Sequence, residues 1–171
     1  TDTYAERAYC PWPDMEAVMR NGKDVLCSLE TGTPLKEFDA VGFSLQYEMT
    51  YSNILTMLDL GGIPLASSDR SERDPLVVGG GPCAFNPEPL ADFFDCFVIG
   101  EGEEVIGEIA AVLAAWKQAG RLGGRLKLLV DLAKLSGVYV PSLYQVEYAA
   151  DGTFSEIKPI YAAIPAVITK R

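Results

Sequence analysis

The 171-residue chain contains no histidine, and this absence removes several chemistries at once. No Ser-His-Asp triad, imidazole proton shuttle or His-ligated zinc site can be built from it. Basic residues are also scarce: 14 Lys and Arg stand against 24 Asp and Glu, a formal charge of −10. Nucleic-acid binders draw much of their affinity from Lys and Arg on phosphates, so the balance argues against a polyanion partner and reads as solubilising. No apolar run approaches the roughly 18 residues of a membrane span; the best candidate, near Ile109–Trp116, is bounded by Glu108 and Lys117. No signal-peptide pattern opens the chain, which points to the cytoplasm. The cysteines Cys10, Cys27, Cys83 and Cys96 show neither C-x-x-C nor C-x-x-x-C-x-x-C spacing. No disulfide framework is expected, and Cys27 and Cys96 sit in apolar runs where a thiol acts as a small buried hydrophobe. The chain opens at Thr1 in mid-pattern, as an excised piece of a longer polypeptide would.

What is present is an alternation of strand and helix patterns. Arg7–Cys10 reads as a short strand. Asp14 is placed to cap a helix over Met15–Arg20, with Met15, Val18 and Met19 on one face and Asn21-Gly22 as its stop. Val25–Leu29 reads as a strand, and Ala40–Leu45 as one buried on both faces. A helix from about Thr50 to Leu60 ends at Gly61-Gly62, and Ser67–Asp74 reads as a polar surface loop. Strands follow at Leu76–Val78 and Cys96–Ile99, separated by a glycine turn and a short helix near Glu88–Phe93. A helix from near Glu103 aligns Val105, Ile106, Ile109, Val112, Leu113 and Trp116, and Leu126, Leu129, Val130 and Ala133 define another. Asp151-Gly152, between Leu143–Tyr148 and Thr153–Ile157, is a hairpin signal. The expected class is α/β: a Rossmann- or flavodoxin-like doubly wound parallel sheet without its first βα unit, plus a small C-terminal antiparallel hairpin. The expected divisions are residues 1–137 for the α/β domain, 138–161 for the hairpin appendage and 162–171 for a linker. An incomplete sheet exposes an edge and invites dimerisation.

In open parallel sheets, ligands bind outside the carboxyl ends of the strands. Three turns qualify: Ser44–Tyr51, Gly79–Pro87 and Gly100–Glu104. Three consecutive glycines, Gly79–Gly81, exceed what a plain turn needs and allow a ligand to approach the main chain. Gly79, Gly81 and Ala84 formally satisfy G-x-G-x-x-A, but Pro82 and Asn86-Pro87-x-Pro89 prevent a helix from starting at the turn to hold a pyrophosphate. GEGEE lacks the G-K-[ST] of a P-loop. Glu103 and Glu104 read as compensating a helix dipole, while Glu101 is open to a hard cation or ligand amide. Tyr47, Tyr51 and Phe85 could wall a flat ligand or pack in the core. Cys83 borders the glycine turn but lacks a histidine partner for nucleophilic work.

The blocks DAVGFS (39–44), VVGGGPCAFNPEPL (77–90) and DCFVIGEGEE (95–104) together resemble the N-terminal, cobalamin-binding-like domain that precedes the catalytic barrel in radical S-adenosylmethionine proteins. The longer strings from PWPDME to GVYVP are similar to one uncharacterised subfamily, so the resemblance covers about residues 5–145. It implies a cobalamin-like pocket at Ser44, Leu45, Gly79, Gly80, Gly81, Pro82, Gly100, Glu101 and Gly102. It implies no catalytic residue and no protein metal ligand in this chain. The axial histidine of many cobalamin domains has no counterpart here, and Cys83 stands where relatives often carry histidine. A 4Fe-4S cluster and S-adenosylmethionine would belong to the barrel of the same polypeptide, the implied partner. The alternative is a scaffold or interaction module with no small-molecule ligand.

Overall fold

In the computed structural model, which describes residues 3–171, strands and helices alternate as an α/β sheet requires. The main sheet has the order β1 (Ala40–Ser44), β2 (Leu76–Gly80), β3 (Cys96–Val98) and β4 (Val138–Tyr139). The first three are parallel and β4 is antiparallel to β3. A separate antiparallel pair, β5 (Tyr144–Tyr148) and β6 (Phe154–Pro159), forms the hairpin around Asp151-Gly152. Because Val138 and Tyr139 pair with β3, the segment expected to open the appendage belongs to the main sheet, and the hairpin proper starts at Tyr144.

The helices are α1 (Pro13–Gly22), α2 (Tyr51–Leu60), α3 (Val105–Gln118) and α4 (Gly124–Leu132). Helices α2 and α3 bury Ile54, Leu58 and Leu60, and Val105, Ile109, Leu113 and Trp116, at helical spacing. Central strand β2 is buried on both faces, as its Leu-Val-Val run dictates.

A row of residues crosses the sheet in register: Phe43 opposite Gly79, Gly79 opposite Phe97, and Phe97 opposite Tyr139. Phe94 joins the row edge-on to Phe43 (centroids 5.8 Å) and stacked on Phe97 (5.0 Å). Tyr139 then meets Tyr144 of the hairpin at 5.1 Å. Offset and tilted rings at these separations gain beyond the area they bury, so the row ties β1 to the appendage.

The amino ends of β2 and β3 are pinned by charge. Asp95 Oδ2 accepts the Val77 N–H (2.7 Å), Arg70 (3.0 Å) and Arg125 (2.8 Å). Arg70 also donates to the carbonyls of Pro64, Leu65 and Phe93, and Arg125 to those of Ser71, Asp74 and Pro75. Every polar contact of the buried carboxylate and guanidinium is thereby satisfied, the condition for burying an ion pair. This corrects the surface-loop reading of Ser67–Asp74: the Arg70 side chain is 0 % exposed.

Several other local expectations change. Arg7–Cys10 and Val25–Leu29 are not strands; the second contributes one isolated bridge, Cys27 to Pro34. The main-chain groups of the second segment are spent one at a time on different partners, Leu26 N–H on Leu60 O, Ser28 N–H on Thr33 O and Leu29 N–H on Arg7 O, so no continuous ladder forms. Helix α1 begins with Pro13, which needs no N–H partner there, and its N-cap is Trp12 rather than Asp14. Its left-handed closing residue is Lys23, not Gly22. Of the Met15, Val18 and Met19 face only Met19 is buried; Met15 and Val18 are exposed. In α4 the buried residues are Leu128 and Leu132, because the helix turns Leu126 to solvent, as α3 does Ile106. Cys96 is buried and Cys27 only partly so. Strand β1 is the outer edge of the sheet, with alternating exposed and half-buried residues, so the both-faces-buried reading fails for want of a neighbour. Residues 162–171 are docked rather than a free linker: Ile164 is buried and Pro165 O accepts the Tyr144 hydroxyl at 2.8 Å.

Candidate functional site

Three parallel strands end at one rim, and their following turns are adjacent. Ser44 stands opposite Gly80 in the β1–β2 ladder. The Leu45 N–H donates to Gly80 O (2.6 Å) and the Cys83 N–H to Leu45 O (2.9 Å), so the glycine turn folds over the end of β1. Val98 of β3 lies beyond Gly80, and Gly100–Gly102 continue from that strand. The nine expected residues are therefore brought to the same end of the sheet.

What fills the turns differs from one to the next. Gly79 is a packing glycine: a Cβ there would stand 2.8 Å from Phe97 Cδ1 and 3.1 Å from Leu45 Cδ1. Gly81 has φ +102°, a region costly for other residues, and its Cβ position lies 3.2 Å from Leu45 O. Leu45 is fully buried and Pro82 is exposed at the start of the short 3-10 turn Pro82–Phe85. Gly80 has room, with its nearest neighbour, Val98 Cβ, 3.9 Å from a Cβ placed there.

The third turn is occupied by the protein's own chain. Arg171 donates its N–H to Ile99 O (3.1 Å) and accepts from the Glu101 N–H (3.2 Å), the bond pattern of a parallel bridge centred on Gly100. Gly100 has φ +114°, and a Cβ there would overlap the Arg171 carbonyl. The Arg171 guanidinium grips Glu108 through two 2.6 Å bonds and reaches Glu104 at 3.3 Å. Its hydrogen bonds hold the Glu108 carboxyl below its usual range. Lys170 lies 5.8 Å from the centroid of the Phe85 ring. Glu104 is the N-cap residue of α3, while Glu101 is exposed and offers its N–H to Arg171. The GEGEE turn thus pairs with the main chain of Arg171. Sequence reasoning missed this partner because Arg171 is some 70 positions away along the chain.

The remaining candidates are dispersed. Tyr47 and Phe85 are exposed and Tyr51 is half-buried. Burial and Glu48 raise the Cys83 pKa, which keeps it a thiol. Glu88 accepts the Tyr139 hydroxyl at 2.9 Å, fastening the PEPL turn to β4; burial, then this bond, pushes the Tyr139 pKa up. Among the described residues, no group of three or more His, Cys, Asp or Glu is arranged to hold a metal ion. No helix among them is long and apolar enough to cross a membrane. Of the nine expected site residues, Ser44 borders a groove of about 570 Å³, which runs along the outer edge of β1.

Comparison with known proteins gives this arrangement a context. Residues 1–141 match the family described as radical SAM proteins, N-terminal. The chain belongs to that family. Over 78 residues it is 37 % identical to an uncharacterized protein, MJ0966, of Methanocaldococcus jannaschii. The aligned part is 44 % of this chain and 16 % of that relative, so the chain spans a small share of the relative's length. No solved structure matches. As a member of a family of N-terminal domains, the chain is an accessory part of a radical SAM protein. A corrin ring finds a poor fit at the rim described above. Two of the glycines are filled by Leu45 and Phe97, a third by Arg171, and the chain carries no histidine to serve as an axial ligand.

Proposed function

We propose that this domain works as a scaffold in a radical S-adenosylmethionine enzyme of the cytoplasm, with its strand-end rim seating polypeptide rather than cobalamin. The observation that carries the reading is the main-chain bridge between Arg171 and Gly100. A glycine turn at a parallel-sheet rim presents N–H and C=O groups to whatever approaches. Here the approaching group is peptide, and the Arg171–Glu108 pair fixes its register. In this reading the iron–sulfur cluster and S-adenosylmethionine are held by the barrel of the same polypeptide, and the domain itself catalyses nothing.

A second reading, cobalamin binding, is supported by the adjacency of Ser44, Gly80 and Gly100 and by the free space over Gly80. It requires Arg171 to leave Gly100. Titration with hydroxocobalamin and methylcobalamin, followed in the visible spectrum, separates the two. The scaffold reading expects no saturable spectral change at millimolar corrin. A saturable shift that is lost in Gly80→Phe, without loss of folding, would establish the corrin reading in its place.

A further inference from the structure

The end of the sheet opposite the rim carries an open hollow of about 650 Å³, walled by Ser71, Glu72, Arg73, Arg121 and Arg125. Three arginines against one glutamate invert the balance of a chain whose formal charge is −10. Most cations of this protein face a carboxylate. Among the described residues, only Lys23, Arg73, Arg121 and Lys170 have no carboxylate oxygen within 4.0 Å. Two of these, Arg73 and Arg121, line the same hollow from segments far apart in the chain.

The three arginines are held in different ways. Arg125 donates to the carbonyls of Ser71, Asp74 and Pro75 and to both oxygens of Asp95, so all its N–H groups are in use and it offers the hollow charge alone. Asp95 is shared with Arg70, one carboxylate for two guanidiniums, and Asp74 is turned to Ser71 and Lys36. Arg121 follows the end of α3, where its N–H bonds Trp116 O at 2.9 Å and its φ is +59°. Its guanidinium carbon lies 5.6 Å from the centre of the Trp116 ring. Stacking on an aromatic face orients a guanidinium and leaves the N–H groups of its edge free to donate. Arg73 is exposed, and its main-chain N–H is fixed by Ser71 Oγ at 3.2 Å. The single acid of the wall, Glu72, lies beside Gly124, with Oε1 3.0 Å from a Cβ placed there.

We propose that this hollow binds the phosphoryl group of a small phosphate ester. Guanidinium forks match phosphate oxygens, and charge-assisted bonds are stronger than neutral ones. A planar carboxylate is satisfied by one fork, whereas a tetrahedral dianion offers oxygens to two forks that arrive from separate segments. Glu72 and the acidity of the whole chain oppose a polyanion such as nucleic acid, so the group fits as part of a small molecule. A hollow of about 650 Å³ leaves space beside a phosphate ion for the esterified part. The hollow lies at the amino ends of the strands, so the proposal is independent of what occupies the rim.

Titration with inorganic phosphate and with ribose 5-phosphate tests the proposal, at about pH 8, where both are dianionic, and at an ionic strength held constant with sodium chloride. The Nε–H signals of Arg73 and Arg121 report on the hollow, as does the indole N–H of Trp116, which bonds Gly124 O. All three should shift and saturate with both probes, while the exposed Trp12 indole stays in place. The ester should bind at least about threefold more tightly than the ion. Arg73→Gln and Arg121→Gln should each weaken binding at least about tenfold. Glu72→Gln should tighten it about two- to fivefold by removing a like charge. Lys23→Gln, which removes an unpaired cation outside the hollow, should leave it unchanged. Arg73 is exposed, so its variant keeps the test open if Arg121→Gln fails to fold. Shifts that follow chloride as readily as phosphate, that never saturate, or that survive both arginine variants overturn the proposal. Equal affinity for the two probes overturns the ester assignment in favour of free phosphate.

Discussion

Gly79 and Phe97 are register partners on adjacent strands, and the phenylalanine ring lies over the glycine so closely that a methyl group has no place between them. Their relationship divides the three-glycine run into residues with different duties. Gly79→Ala should destabilise the fold by about 1–3 kcal/mol, the usual cost of overpacking a filled core. Gly80→Ala, with its nearest neighbour at 3.9 Å, should stay within about 0.5 kcal/mol of the wild type. Urea unfolding of both variants reads the difference. Equal losses would show that the run acts as a unit.

Removing Asp95 should be far more damaging. Asp95→Ala leaves the Arg70 guanidinium buried without its countercharge and frees the Val77 N–H. Breaking a buried pair in this way costs about 3–5 kcal/mol, and the urea midpoint should fall accordingly. Arg70→Met removes the charge together with its desolvation cost, so its loss should be the smaller of the two despite the three carbonyls it abandons.

Gly100→Ala should release Arg171 and the residues just before it without unfolding the sheet, because the clash is with Arg171 and the strained backbone lies beyond β3. Faster exchange of the Glu101 amide and quicker proteolysis near Ala166–Lys170 would register the release, with the main unfolding transition little changed.

Acid should do the same to the wild type. The Glu108 carboxyl is held below its ordinary value by Arg171. A group depressed in the folded state contributes stability that is present above its unfolded pKa, about 4.3, and lost as pH falls through the lower folded value. Docking of Arg171 should therefore persist at neutral pH and loosen only in acid below the ordinary glutamate range. Chemical shifts of Gly100 and Glu101 followed against pH would show it, and in Glu108→Gln this transition should be absent.

The sheet was legible because its strands carry local signals: Leu76–Val78 and Cys96–Ile99 are short apolar runs between turns, and Asp151-Gly152 announces its hairpin. Convergence of Ser44, Gly80 and Gly100 at one rim follows from parallel order alone. What stayed hidden depends on contacts between distant residues. Arg70 looks like one more polar residue in SSDRSERD until Asp95 is beside it. Ala40–Leu45 has the composition of an inner strand, and only the sheet order shows that one flank is bare. The glycines of GEGEE suggested a small ligand because close main-chain approach reads the same in sequence whether the visitor is a cofactor or a peptide.

Five aromatic rings, from Phe43 through Phe94, Phe97 and Tyr139 to Tyr144, span the breadth of the sheet. Interiors packed at crystalline density transmit displacement rather than absorb it. The two flanks of the domain are therefore joined by one unbroken line of ring contacts, along which a displacement at Phe43 meets no void before the hairpin. Tyr144, whose hydroxyl holds Pro165, places the start of the docked tail at the far end of that line.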